Sequence, residues 1–215
     1  MEIITTNYLC NFLNIDQQRS LFNSIFEDIN GYEISLNDRK QYGYENDKSY
    51  TYGEVSFEGF KEIFEIISLT DSFEFLDLGS GLGKGLIMAS LLYPCQKLVG
   101  YENLANLATT SKEILTSYVD LIKKDYPAAQ LPEFSIVQDS FFNADFSTAD
   151  VIFASSTCFG STYIEFINSK IDEMKTGSYL VMLTKQVSSD SLECIYKGTQ
   201  KMGWGTPTVY IYKRL

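Results

Sequence analysis

Hydrophobic positions along the chain change rhythm near residue 73. Before that point they recur at helical spacing. In QQRSLFNSIFEDI, residues Leu21, Phe22, Ile25, Phe26 and Ile29 fall on one helical face. SFEGFKEIFEIISL repeats the spacing at Phe57, Phe60, Ile63, Phe64 and Ile67, with Ser56 placed to cap the helix. The intervening EISLNDRKQYGYENDKSYTYGE is polar, Tyr-rich and broken by Gly43 and Gly53, which predicts a loop or irregular arm. Residues 1–70 therefore read as a helical N-terminal region carrying one long loop.

From residue 73 short apolar runs alternate with helical segments. FEFLDLG is followed by a Gly-rich turn and the helix GKGLIMASLLY. KLVGYE precedes a long helix from about Leu104 to Lys124; FSIVQD, DVIFAS and SYLVMLTK complete the set of five short strands, with a helix near STYIEFINSKIDEM. This alternation predicts a parallel sheet covered on both faces. The last two apolar stretches, LECIYKGTQKM and PTVYIYKRL, lie too close together for a helical crossover and predict an antiparallel edge hairpin. Residues 71–215 thus read as one α/β domain with a seven-stranded, mostly parallel sheet.

Composition narrows the chemistry. The chain of 215 residues carries a formal net charge of −11, which argues against strong nucleic-acid binding. It contains no histidine, which removes Ser-His-Asp triads, Cys-His pairs, most zinc sites and His general bases. Without a His partner, Cys158 makes a poor nucleophile. The four cysteines form no CxxC and read as reduced thiols. No metal site, signal segment or membrane span is expected, and the chain reads as intracellular, cytoplasmic or nuclear.

The strongest motif is FLDLGSGLGKG. A strand delivers Asp77, and Gly79, Gly81, Gly83 and Gly85 open the next helix. The following strand ends in Glu102, placed to accept hydrogen bonds from ribose hydroxyls. The glycine spacing is GxGxG rather than the dinucleotide GxGxxG, and Asp77 disfavours a pyrophosphate. S-adenosylmethionine, a cation without phosphates, fits this acid. Asp139, at the end of the third strand, would then lie near the adenine amine. The competing reading is that Asp77 and Asp139 only cap the following helices.

These residues resemble the disruptor-of-telomeric-silencing (Dot1-like, non-SET) histone lysine methyltransferases, which have the Rossmann-like class I methyltransferase fold. The resemblance runs from about Tyr52 onward through YGEVSF, FLDLGSGLGKG, GYE, VIFASSTCFG and WGTPTVYIY. It implies that Tyr52 and Glu54 belong to a loop covering S-adenosylmethionine, and that the cofactor is held by Asp77, Gly79, Gly81, Gly83, Glu102 and Asp139. It further implies that the target lysine enters beside the turn after the fourth strand and that Tyr210 lines its channel. This chain has Ser155-Ser156 where the family has Asn-Asn, Thr157 where it has an aromatic, and Lys84 where it has Gln.

Methyl transfer requires a neutral amine held in line with the sulfonium methyl, away from water. Phe153, Phe159 and Tyr210 are the expected apolar walls, with Phe57 and Trp204 nearby and Ser155 orienting the amine. The expected partner is a protein with an exposed lysine, or a small amine. The alternatives are methylation of a small amine or another non-histone target, and a cofactor-binding module that has lost catalysis.

Overall fold

The computed structural model describes residues 7–67, 69 and 72–215. The predicted opening of the chain, residues 1–6, lies outside the described residues. Three helices come first: α1 (Ile15–Phe26), α2 (Gly31–Tyr42) and α3 (Phe57–Ile66). Each begins at a side-chain cap. Asn14 makes a reciprocal capping box with Gln17, Asn30 accepts from the Glu33 N–H, and Ser56 accepts from the Gly59 N–H.

Helix α2 corrects the expectation of a loop beginning at Glu33. Residues 31–42 are helical, and only the part after Gly43 runs irregularly. The buried face of α2 is Gly31, Ser35 and Asp38, so it has no apolar stripe to read. Its end is nevertheless written in the sequence, because Gly43 adopts φ 74° and closes the helix in the left-handed region.

The remaining elements alternate as expected: β1 (Phe73–Leu78), α4 (Lys84–Leu92), β2 (Cys95–Glu102), α5 (Ala105–Asp125), β3 (Glu133–Gln138), β4 (Val151–Ala154), α6 (Ser161–Ser169), β5 (Tyr179–Leu183), β6 (Leu192–Thr199) and β7 (Thr208–Arg214). The seven strands form one sheet in the order β3-β2-β1-β4-β5-β7-β6. Strands β1 to β5 run parallel, and β7 lies antiparallel between β5 and β6. The predicted fold class and the edge hairpin are both present.

Both faces of the sheet are covered. Phe75, Phe153, Val181 and Ile211 point into a core shared with Phe60, Phe64 and Leu86 of the helices. Leu76, Ile152, Leu180 and Tyr210 point into a second core with Phe146 and Ile167. Burial on both faces explains why the central strands read as unbroken apolar runs. The strand order reverses at β1, which lies between β2 and β4, and this opens a crevice beyond the carboxyl ends of these strands.

Candidate active site

The crevice holds a cavity of roughly 230 Å³. The turn after β1 lines its base, the ends of β2 and β3 one side, and the turn after β4 the other. The irregular arm of residues 49–55 and Trp204 complete the lining. The turn after β1 needs glycine for backbone reasons: Gly79, Gly81 and Gly83 have φ of 84°, 55° and 76°. Protein groups already crowd them. A Cβ on Gly81 would come within 2.6 Å of the Tyr52 ring, and one on Gly83 within 2.6 Å of Ser111 Oγ.

Two carboxylates meet at the base. Glu102 is 8% exposed and accepts from the Gly81 N–H and the Leu104 N–H, both at 2.8 Å. Burial pushes its carboxyl upward against the lowering effect of these donors. Asp77 is 5% exposed, and among the described residues its carboxylate has no hydrogen-bond partner. Burial, with Glu102 beside it, pushes the Asp77 carboxyl up to about 7. Asp139 lines the cavity and also accepts from the Ser140 N–H and Asn143 Nδ2. It therefore holds its own turn while facing the cavity; among the described residues Asp77 caps no helix.

The arm is pinned across the cavity at several points. Ser49 Oγ accepts from the Gly160 N–H at 3.2 Å, and Tyr50 Oη accepts from Asn103 Nδ2 at 3.1 Å. Further along, Glu54 accepts from Tyr52 Oη at 2.9 Å and pairs with Lys84 Nζ at 2.7 Å. Burial and the adjacent Glu54 carboxylate hold the Tyr52 phenol far above its ordinary range. The arm closes against Trp204, whose ring lies 3.1 Å from where a Gly53 Cβ would stand.

The turn after β4 is a short 3-10 helix, Ser156–Cys158. Ser155, Thr157, Cys158 and Phe159 line the cavity, whereas Ser156 turns inward and donates to the Leu183 carbonyl at 2.7 Å. Thr157 and Thr184 share a hydroxyl hydrogen bond of 2.9 Å. Phe153 is only 2% exposed; it forms part of the floor and packs on Phe60 and Phe75 in the core. Phe159 belongs to an aromatic wall with Phe141 and Tyr163, at centroid distances of 5.3 and 5.6 Å.

Of the expected site residues, Tyr52, Glu54, Asp77, Gly79, Gly81, Glu102, Asp139, Phe153, Ser155 and Phe159 come together around this cavity. Three do not. Gly83 is not part of the lining, because its turn directs it toward Ser111 on α5. Phe57 is buried against Phe22 in the core. Tyr210 is a correction of the same kind. Strand parity sends its side chain to the other face of the sheet, where its hydroxyl accepts from Gln186 Nε2 at 2.9 Å in a separate pocket. Sequence reasoning missed Tyr50, Lys84, Asn103, Phe141 and Tyr163. Lys84 alone had a visible signal, as a cation inside the glycine motif.

The fold and cavity define a Rossmann-like protein of the methyltransferase class. Among solved structures it is similar to an RNA methyltransferase from Salinibacter ruber in complex with S-adenosyl-L-homocysteine, at TM-score 0.57 and 18% identity, covering 75% of this chain and 93% of the other. A putative methyltransferase from Escherichia coli superimposes at TM-score 0.58 and 11% identity, covering 76% and 88%. The chain belongs to the family described as histone methylation protein DOT1, which it matches over residues 32–201. A curated relative is the histone-lysine N-methyltransferase, H3 lysine-79 specific, of Caenorhabditis elegans, 26% identical over 162 residues. That match covers 73% of this chain but 17% of the relative's length.

Proposed function

We propose that this chain binds S-adenosylmethionine and transfers its methyl group to the side-chain amine of a protein lysine. One observation carries the reading. A single cavity joins the glycine turn, Asp77 and Glu102 to the turn after β4 and its aromatic wall. The acids suit a sulfonium cofactor, with Glu102 facing the ribose hydroxyls and Asp77 the ammonium. The Ser155–Phe159 turn then faces the methyl group.

A lysine side chain has a free pKa of about 10.4, so it must lose a proton before attack. Apolar walls disfavour the ammonium and lower that pKa. Phe153, Phe159 and Trp204 supply such walls, and the Ser155 and Thr157 hydroxyls offer the amine hydrogen-bond partners. No histidine base is needed in this scheme. A small-amine acceptor is the second reading, favoured by the small lining residues Ser155, Thr157 and Cys158.

Labelled-methyl transfer to total protein, free histones, nucleosomes and a panel of small amines tests both readings. Label on a protein lysine is the expected result. Label confined to a small amine would replace the first reading with the second. For the cofactor, calorimetry should show binding of S-adenosylmethionine and at least about tenfold weaker binding for Glu102→Ala, the loss of one charge-assisted contact. Preferential binding of NAD would overturn the assignment.

A further inference from the structure

An ammonium that enters the cavity as methyl acceptor must lose a proton there, and the chain has no histidine to take it. The cavity's acids have other partners. Asp77 and Glu102 face the cofactor in the reading above, Glu54 is held by Tyr52 and Lys84, and Asp139 by Ser140 and Asn143. The turn after β4 offers another way out. Thr157 lines the cavity, and its Oγ1 lies 2.9 Å from Oγ1 of Thr184, which is exposed to solvent. We propose that the Thr157 and Thr184 hydroxyls carry the acceptor's proton from the cavity to solvent. The inference rests on the methyltransferase reading above and deepens it.

In this step one N–H bond of the ammonium breaks, and its proton passes to Thr157 Oγ1. Thr157 gives its own hydroxyl proton to Thr184 Oγ1, and Thr184 gives its own to a surface water. Both threonines end neutral, and the amine keeps the electron pair that attacks the methyl. A hydroxyl suits the task because it donates one proton and accepts at two lone pairs. Two features mark the pair as built. Thr184 has φ 70°, and among the described residues it is the one non-glycine at positive φ. A β-branched side chain is disfavoured there, and strain of this kind gathers at functional sites. Neighbouring bonds hold it: its N–H donates to the Thr208 carbonyl at 2.6 Å, and the Lys185 N–H reaches across it to the Leu183 carbonyl at 2.8 Å. The second feature is a tie between the two turns, since Ser156 Oγ donates to the same Leu183 carbonyl. Successive residues of one turn thus meet successive residues of the other, which fixes the spacing of the hydroxyls. Thr157 also stands where the family has an aromatic, so the pair belongs to this chain.

Two small acceptors test the route at pH 7. Butylamine is a lysine side chain without its peptide and arrives protonated; trifluoroethylamine arrives neutral and sheds no proton before attack. Thr157→Val and Thr184→Gly should each lower kcat for butylamine about tenfold or more, the low end of what proton transfer contributes. Both should leave kcat for trifluoroethylamine and affinity for S-adenosylmethionine near wild type. Glycine accepts the positive φ without strain, so Thr184→Gly keeps the fold, and Thr184→Ser should keep the wild-type rate. The butylamine deficit should close as pH rises to about 10, where much of the amine arrives neutral. Where wild-type protein labels free histones but no small amine, the same pH series on histones carries the test. Equal losses with the two amines would make the threonines structural supports and overturn the proposal. A wild-type kcat in Thr157→Val, or a deficit that persists at high pH, would overturn it too. If wild-type protein labels no amine, free or in a protein, the methyltransferase reading itself falls and takes this one with it.

Discussion

Asp77 shows how a residue's position can be legible in the sequence while its state is not. Its place, two residues before Gly79 at a strand end, marked it as a cofactor acid. Its protonation depends on burial and on Glu102, which only the folded chain brings close. The carboxyl is raised from 3.8 to about 7, so the folded protein binds a proton that the unfolded chain has released. The stability linked to this group is complete at acid pH and drains away as pH climbs from about 4 through about 7. In the ligand-free protein, Asp77→Asn should remove this slope. Wild type should lose melting temperature relative to the variant between pH 5 and 8, by scanning calorimetry. An identical pH profile for the two proteins would show that Asp77 is not the buried proton carrier. Tyr210 illustrates the opposite limit. Similarity of the WGTPTVYIY segment located it in the chain, but only strand pairing, Tyr210 opposite Met182, decides which face it occupies.

At the scale of elements, the strands and most helices were readable because their buried faces are apolar. Helix α2 was not, because it is held by polar contacts. Asp38 is fully buried and accepts from the Asn106 N–H at 2.9 Å and the Leu107 N–H at 3.2 Å, and also from Asn106 Nδ2. A carboxylate from one helix thus caps the start of another, α5. No hydrophobic periodicity announces such a bond across 68 residues. Asp38→Ala should therefore cost about 1–3 kcal/mol in urea unfolding, by leaving buried N–H groups of α5 unpaired. Asp38→Asn should recover part of the loss, since its carbonyl oxygen still accepts. A neutral Asp38→Ala would mean that α2 is held by packing alone. The arm was likewise legible as irregular, but its course was not. Its anchors, Gly160, Asn103 and Lys84, come from three separate parts of the chain.

For the whole molecule, a net charge of −11 shapes which acceptors approach. If the acceptor is a protein lysine, a target flanked by Lys and Arg should be drawn in electrostatically, and salt should screen the attraction. Raising ionic strength from about 0.05 M to about 0.3 M should increase KM for a basic acceptor peptide several-fold and leave kcat nearly unchanged. A KM indifferent to salt would show that overall charge has no part in acceptor choice. The strand order has a consequence of another kind, in the timing of synthesis. Strand β7 sits between β5 and β6, so β6 leaves the ribosome before the strand that, among the described residues, pairs it to the sheet. Trp204, which closes the cavity against Gly53, emerges in the same interval. The arm's anchors at Lys84, Asn103 and Gly160 are made earlier, so Trp204 is the last lining residue of the cavity to arrive. A nascent chain halted before that point carries the other lining residues of the cavity but lacks the ring that lies against Gly53.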